Sequence, residues 1–236
     1  MSERPVDFKL YLITDRKLFC DKDAFWGAIE GALKAGVKAV QLREKDLPTR
    51  ELLAMAYGMR ALTSEYGAKL FINDRTDIAL CAGADGVHLG QESMPVYAVR
   101  TIAGDGFIIG VSTHSLKEAI LAEKEGADFI TFGPVYQTPS KLKYGAPVGL
   151  EALNKVAAET GIPVFGIGGI RPDTINAVMK SGAHGIAAIS GILGEDDTKT
   201  AAERYMEKIN TAIGNSLNKE ENHDTNRTCK ERHTDR

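Results

Sequence analysis

Apolar residues along this chain follow two alternating rhythms. Short β-rich runs stand at residues 8–14 (FKLYLIT), 37–42 (VKAVQL), 69–72 (KLFI), 85–89 (DGVHL), 107–111 (FIIGV), 127–132 (ADFITF), 163–167 (PVFGI) and 184–189 (HGIAAI). Between them the apolar positions recur every three or four residues: Phe25, Ile29 and Leu33; Leu52, Ala56 and Met59; Ile175, Val178 and Met179. That spacing lines one face of a helix. End signals agree with it. Ser115 followed by Glu118 forms a capping box, Pro172 fits a first helical turn, and Gly182 stands where a helix C-cap is expected. Strands alternating with helices predict βαβ units, parallel strands and right-handed crossovers.

A glycine recurs where helix gives way to strand, at Gly36, Gly83, Gly126 and Gly182, with two βα units between successive copies. That echo favours a single closed (β/α)8 TIM barrel over the alternative, a doubly wound sheet of fewer strands. The barrel is assigned to residues 1–214 as one catalytic domain. Residues 215–236 are almost without apolar side chains and cannot repay their ordering entropy, so they are expected to form a disordered tail.

Composition narrows the function classes. The chain of 236 residues carries 29 basic and 32 acidic residues, a formal charge of -3, which gives no sign of a surface for nucleic acid. No segment is apolar enough for a bilayer, so no membrane partner is expected. Three widely spaced cysteines, Cys20, Cys81 and Cys229, lack metal-ligand spacing and fit a reducing, cytoplasmic setting.

In a barrel of this kind the loops after the strands carry the chemistry. Arg43 and Lys45 after the second strand and Lys141 after the sixth would converge on one mouth. A planar guanidinium fork and two mobile ammonium groups suit a diphosphate. Asp74, beside Asn73 after the third strand, is either a Mg2+ ligand or an N-cap for the helix that follows. Gly166-Ile167-Gly168-Gly169 after the seventh strand lacks the context of a dinucleotide fingerprint and suits a small phosphate approaching bare backbone. Ile189, Ser190 and Gly191 open a turn whose amides can hold an anion. His114 can titrate near neutrality or serve structurally. His88 and His184 are expected to pack within the barrel.

The segments QLREK (41–45), IND (72–74), GADGVHLGQ (83–91), GVSTHS (110–115), GPVYQTPSK (133–141), GIGGI (166–170) and AISGI (188–192) together resemble thiamine phosphate synthase. The resemblance runs in order from about residue 8 to 212. It implies a transferase that joins a hydroxymethylpyrimidine diphosphate to a carboxylated thiazole phosphate and releases pyrophosphate. It further implies catalytic roles for Arg43, Lys45, Lys141 and Ser112. Gln41, Arg43, Lys45, Asn73, Ser112 and Lys141 would contact the pyrimidine and its diphosphate, and Thr138, Ser140, Gly169, Ile189 and Ser190 the thiazole phosphate. Leu42, Glu44 and Pro139 would also belong to the substrate site, and Mg2+ would sit at Asp74 and Ser93. At Ser93 the family usually has a second metal-binding aspartate, and a neutral hydroxyl is a weaker ligand. Two other readings use the same scaffold. A thiazole tautomerase would work through His114, and a non-catalytic sensor would bind thiamine precursors without turnover. A homo-oligomer is compatible with every one of them.

Overall fold

The computed structural model describes residues 6–138 and 146–231, with side chains as far as 215. Eight parallel strands close into a barrel in sequence order. They are β1 (Leu10–Ile13), β2 (Ala39–Leu42), β3 (Lys69–Asn73), β4 (Gly86–Leu89), β5 (Ile108–Thr113), β6 (Phe129–Phe132), β7 (Val164–Ile167) and β8 (Gly185–Ala188). Pairing of Leu10 with Ile186 shuts the sheet on itself. The crossover helices are α1 (Lys22–Lys34), α2 (Thr49–Glu65), α3 (Thr76–Cys81), α4 (Val96–Ala103), α5 (Leu116–Lys124), α6 (Gly149–Glu159) and α7 (Ile175–Lys180), followed by α8 (Ser190–Leu193) and α9 (Thr198–Glu231). The closed barrel replaces the doubly wound alternative. Among the described residues no helix is long and apolar enough to cross a membrane.

The strands look uniformly apolar in sequence because both their faces are buried. Leu12, Val40, Ile72, Val87 and Ile109 point outward into a shell packed against Leu33, Met59 and Val99 of the helices. The inward face is filled by rings, with Phe8 stacked on Phe165 at 5.1 Å and Tyr11 meeting Phe71 edge-on at 5.3 Å. Glycines on adjacent strands make the room: Phe71 is in register with Gly86, Phe129 with Gly110 and Phe165 with Gly185. A Cβ on Gly110 would overlap the Phe129 ring and lie 2.6 Å from His88 Nδ1. Gly110→Ala is therefore expected to cost about 1–3 kcal/mol, because a filled core resists one extra methyl. Urea unfolding would register this as a lower midpoint with an unchanged slope.

The glycine echo has a physical cause. Gly83 and Gly126 stand at φ of 62° and 95°, ending their helices in the left-handed region. The aspartate two residues on then clamps the neighbouring strand. Asp85 accepts from Leu70 N at 2.7 Å and from Arg60, while Asp128 accepts from Ile109 N at 2.7 Å and from Arg100 at 2.8 Å.

Three local expectations change. Pro172 lies three residues before α7, whose cap position is Thr174, so it serves the loop rather than the first turn. His184 precedes β8, half-buried, with its ring on Phe165 and near Lys9 Nζ at 3.2 Å, at the barrel end remote from the strand C-termini. In the capping box Glu118 N donates to Ser115 Oγ at 3.3 Å, but the Glu118 carboxylate reaches His114 N at 2.8 Å, one residue before the cap.

α9 docks on α1 and α7 through Ala201, Ala202, Tyr205, Ile209 and Ala212, a stripe at helical spacing. Its backbone runs on to Glu231, past position 215, and 232–236 lie outside the described residues. Once docked, a helix can propagate into a polar extension without a new nucleus.

Candidate active site

Every strand C-terminus opens into one cleft of about 1070 Å³. Around its rim and floor stand Gln41, Leu42, Arg43, Glu44 and Lys45 from the loop after β2. Asn73 and Asp74 follow from β3, Ser93 from the loop after β4, and Ser112 and His114 from β5. The far wall holds Thr138, Gly169, Ile189 and Ser190. Pro139, Ser140 and Lys141 lie outside the described residues.

The residues after β2 divide by burial. Gln41 is buried at the floor, Arg43 half-buried and Lys45 exposed. Glu44 is buried although it is charged, and its carboxylate is committed: it accepts from Thr14 Oγ1 at 2.6 Å and from Arg16 N at 3.1 Å. Burial raises its pKa, with those two donors opposing the shift. Thr14 in turn accepts from Arg43 N at 2.9 Å, so Glu44 braces the segment that presents Arg43. Asp46 supports the same segment by pairing with Arg16 and Lys17 at 3.2 and 3.1 Å.

Asp74 has φ of 66°, uncommon for a non-glycine residue and most tolerated by Asn and Asp. Its amide donates to His88 O at 2.9 Å and its carbonyl accepts from Thr76 N at 3.1 Å. α3 has Arg75 at its cap position and no side-chain cap bond, so the N-cap reading of Asp74 is replaced. Arg75 also lines the cleft, but its guanidinium forks onto Asp77 at 2.8 and 2.6 Å. Ser93 Oγ accepts from Gly90 N at 2.7 Å and closes the turn after β4.

Opposite, Gly168 and Gly169 have φ of 95° and 66°. A Cβ on Gly168 would come 2.6 Å from Pro134 Cβ, and one on Gly169 2.8 Å from Gln137 O. These glycines thus let the loops after β6 and β7 run side by side, joined by Val135 N to Ile167 O at 2.8 Å and Tyr136 N to Gly168 O at 3.0 Å. Beside them the first intrahelical bonds of α8 come from Ile192 and Leu193, both to Ile189 O. The amides of Ser190 and Gly191 precede those donors in the first turn of α8. Tyr205 reaches in from α9 and donates to Ile170 O at 2.8 Å, and burial pushes its phenol up to about 12.

The floor holds residues that the sequence analysis assigned no role. His88 is buried, with Nε2 3.0 Å from Ser112 Oγ and 3.4 Å from Thr131 Oγ1, and Nδ1 3.4 Å from Tyr11 Oη. Burial, helped by the charge of Arg43, lowers its pKa to about 3, so the ring is neutral at physiological pH. At the exposed edge of the cleft, Gln91 Nε2 donates to Ser112 O at 2.5 Å. The signal for His88 is the two-residue strand period. It stands two positions after Gly86 on the inward face, in register with Asn73. At the rim His114 is exposed, with Nδ1 3.3 Å from Glu118 Oε2.

Comparison with known proteins places this arrangement. Residues 10–192 match the family model described as thiamine monophosphate synthase. A Geobacter sulfurreducens protein named "Putative thiamine-phosphate synthase" is 54% identical over 201 residues, covering 85% of this chain and 94% of the relative. The thiamine-phosphate synthase of Moorella thermoacetica is 44% identical, covering 79% of this chain and 89% of its own. Among solved structures, thiamine phosphate pyrophosphorylase from Pyrococcus furiosus superposes with a TM-score of 0.79 at 41% identity, over 87% of this chain and 97% of that one. The barrel, the loop residues that meet at its mouth and these matches agree: the chain belongs to the thiamine monophosphate synthase family.

Proposed function

We propose that this protein condenses a hydroxymethylpyrimidine diphosphate with a carboxylated thiazole phosphate, giving thiamine phosphate, pyrophosphate and carbon dioxide in a Mg2+-assisted reaction in the cytoplasm. The observation that carries the reading is the cleft's two-sided chemistry. Arg43, Lys45 and the Asn73–Asp74 pair stand on one side, and the Gly168–Gly169 and Ser190 backbone on the other. Two phosphorylated ligands can thus meet with their reacting atoms over the floor formed by Gln41 and Ser112.

The protein's contribution is positioning and charge. Arg43 and Lys45, with Lys141 from the loop after β6, would hold the departing diphosphate. An aminopyrimidine can share the positive charge left on its methylene carbon when that bond breaks. The thiazole nitrogen then attacks the carbon, the ring carboxylate leaves as carbon dioxide and a proton takes its place, and the thiazole phosphate is kept in place by Thr138, Ser140, Gly169, Ile189 and Ser190. Free thiols at Cys20 and Cys81 are consistent with the reducing compartment.

The donor set fits Mg2+ only with help from the ligand. Among the described residues no three His, Cys, Asp or Glu side chains come together to hold a metal. Asp74 would supply one carboxylate and Ser93 a neutral oxygen, leaving water and diphosphate oxygens to complete the shell. Bound there, Mg2+ would offset charge on the diphosphate. Ser93→Asp is expected to keep the bond from Gly90 N with one oxygen and turn the other toward the cation. A Mg2+ titration of thiamine phosphate formation should then reach half-maximal rate at lower Mg2+ than in the wild type. An unshifted midpoint would remove position 93 from the metal shell.

The segment after 215 is proposed to take no part in the site, because its composition offers no apolar face to dock. Deleting 216–236 should leave turnover and melting temperature nearly unchanged, and a large loss of either would show that the segment docks.

A further inference from the structure

From the floor of the cleft runs a line of polar groups whose middle members, Tyr11 and His88, the proposed reaction does not use directly. Gln41 Nε2 donates to Tyr11 Oη at 3.0 Å, Tyr11 Oη lies 3.4 Å from His88 Nδ1, and His88 Nε2 lies 3.0 Å from Ser112 Oγ. Gln41, His88 and Ser112 line the cleft, whereas Tyr11 lies behind them. We infer that Tyr11 and His88 are positioning residues, a hydrogen-bond relay that fixes which way the Gln41 amide and the Ser112 hydroxyl face the bound pyrimidine. The inference rests on the reading of the cleft as a pyrimidine site and deepens it by naming what sets its specificity.

Donors and acceptors in such a line must all point the same way. Because Tyr11 Oη accepts one N–H of the Gln41 amide, the phenol hydrogen is left to donate to His88 Nδ1. That requires the imidazole hydrogen on Nε2, where it donates to Ser112 Oγ, with Thr131 Oγ1 as a second acceptor at 3.4 Å. Ser112 then turns its own hydrogen to the cleft, and Gln41 turns its carbonyl oxygen there. The opposite polarity would reverse every group. The His88 ring is held between Tyr11 and Phe129, each at a centroid distance of 5.6 Å, and Gly110 walls its Nδ1 edge. It therefore cannot turn over to swap its nitrogens without moving that core.

One fixed acceptor at the Gln41 end and one fixed donor at the Ser112 end match a ring that carries both an amino group and a bare ring nitrogen, and an oxo analogue would set its carbonyl oxygen against the Gln41 oxygen. Mismatch is costly because a buried polar group is left unpaired.

Nitrogen-15 spectra of histidine-labelled wild type at neutral pH should show the His88 proton on Nε2 and a bare Nδ1. Calorimetric binding of the aminopyrimidine alcohol and of its oxo analogue should favour the former. Tyr11→Phe, which deletes one hydroxyl and keeps the ring, should shrink that preference by about tenfold as the Gln41 amide becomes able to turn. A proton on Nδ1, or a preference unchanged in Tyr11→Phe, would overturn the relay. If that variant fails to fold, the wild-type spectrum decides alone. Should neither compound bind the wild type, the pyrimidine reading of the cleft fails, while the spectrum still reports on the relay.

Discussion

Asp74→Asn is expected to slow thiamine phosphate formation by about 10²–10³-fold, the scale of losing one preorganised electrostatic contact to a reacting centre. Asp74 is the carboxylate that the loop after β3 presents at the cleft, and its backbone, at φ of 66°, is fixed by bonds to His88 O and Thr76 N. Asparagine tolerates that backbone, so this variant removes charge without adding strain. Asp74→Ala should lose as much activity but also some thermal stability. Rate and melting temperature of both variants would separate the two effects. Wild-type turnover in Asp74→Asn would remove this carboxylate from the diphosphate end of the site.

The second large effect concerns acid. In the folded chain His88 stays neutral down to about 3, whereas its unfolded value is 6.5. Between those values the unfolded chain binds a proton that the folded chain refuses. The stability associated with His88 is thus fully present above 6.5 and is lost as pH falls, at up to about 1.4 kcal/mol per pH unit. Glu44 works the other way. Its raised pKa lends stability in acid that disappears as pH rises through the carboxylate range. Comparing wild type with His88→Gln cancels the Glu44 term, since both proteins contain it. Urea midpoints between pH 7 and 4.5 should fall more steeply for wild type than for the variant, whatever the variant's absolute stability. Parallel slopes would show that His88 accepts its proton without penalty.

What the sequence made legible was whatever depends on local period and local chemistry. All eight strands stand where the β-rich runs place them, usually shorter by one to three residues because the flanking residues leave the strand ladder. Gly36, Gly83, Gly126 and Gly182 mark helix ends, and all four have positive φ. The loop residues could be grouped because a barrel sends every strand C-terminus to one mouth. What stayed hidden depends on partners distant in sequence. Glu44 reads as one more charged loop residue until Thr14 and Arg16 are seen to hold it. Gly168 and Gly169 suggest phosphate binding, but their contact with the loop after β6 is a packing requirement that no local pattern announces. His88 looks like core filling, and only the closed barrel brings it against Ser112 and Tyr11. Tyr205 lies far along the chain from the loop that it pins.

His114 also stands at the rim of the cleft beside Glu118, where a histidine could move a proton on the thiazole ring. The most direct discriminator is one incubation of the purified full-length protein with the pyrimidine diphosphate, the carboxylated thiazole phosphate and Mg2+, following thiamine phosphate and pyrophosphate together. The account predicts that both form in equal amounts and that His114→Ala retains the activity. No thiamine phosphate, accompanied by isomerisation of the thiazole ring that vanishes in His114→Ala, would contradict it.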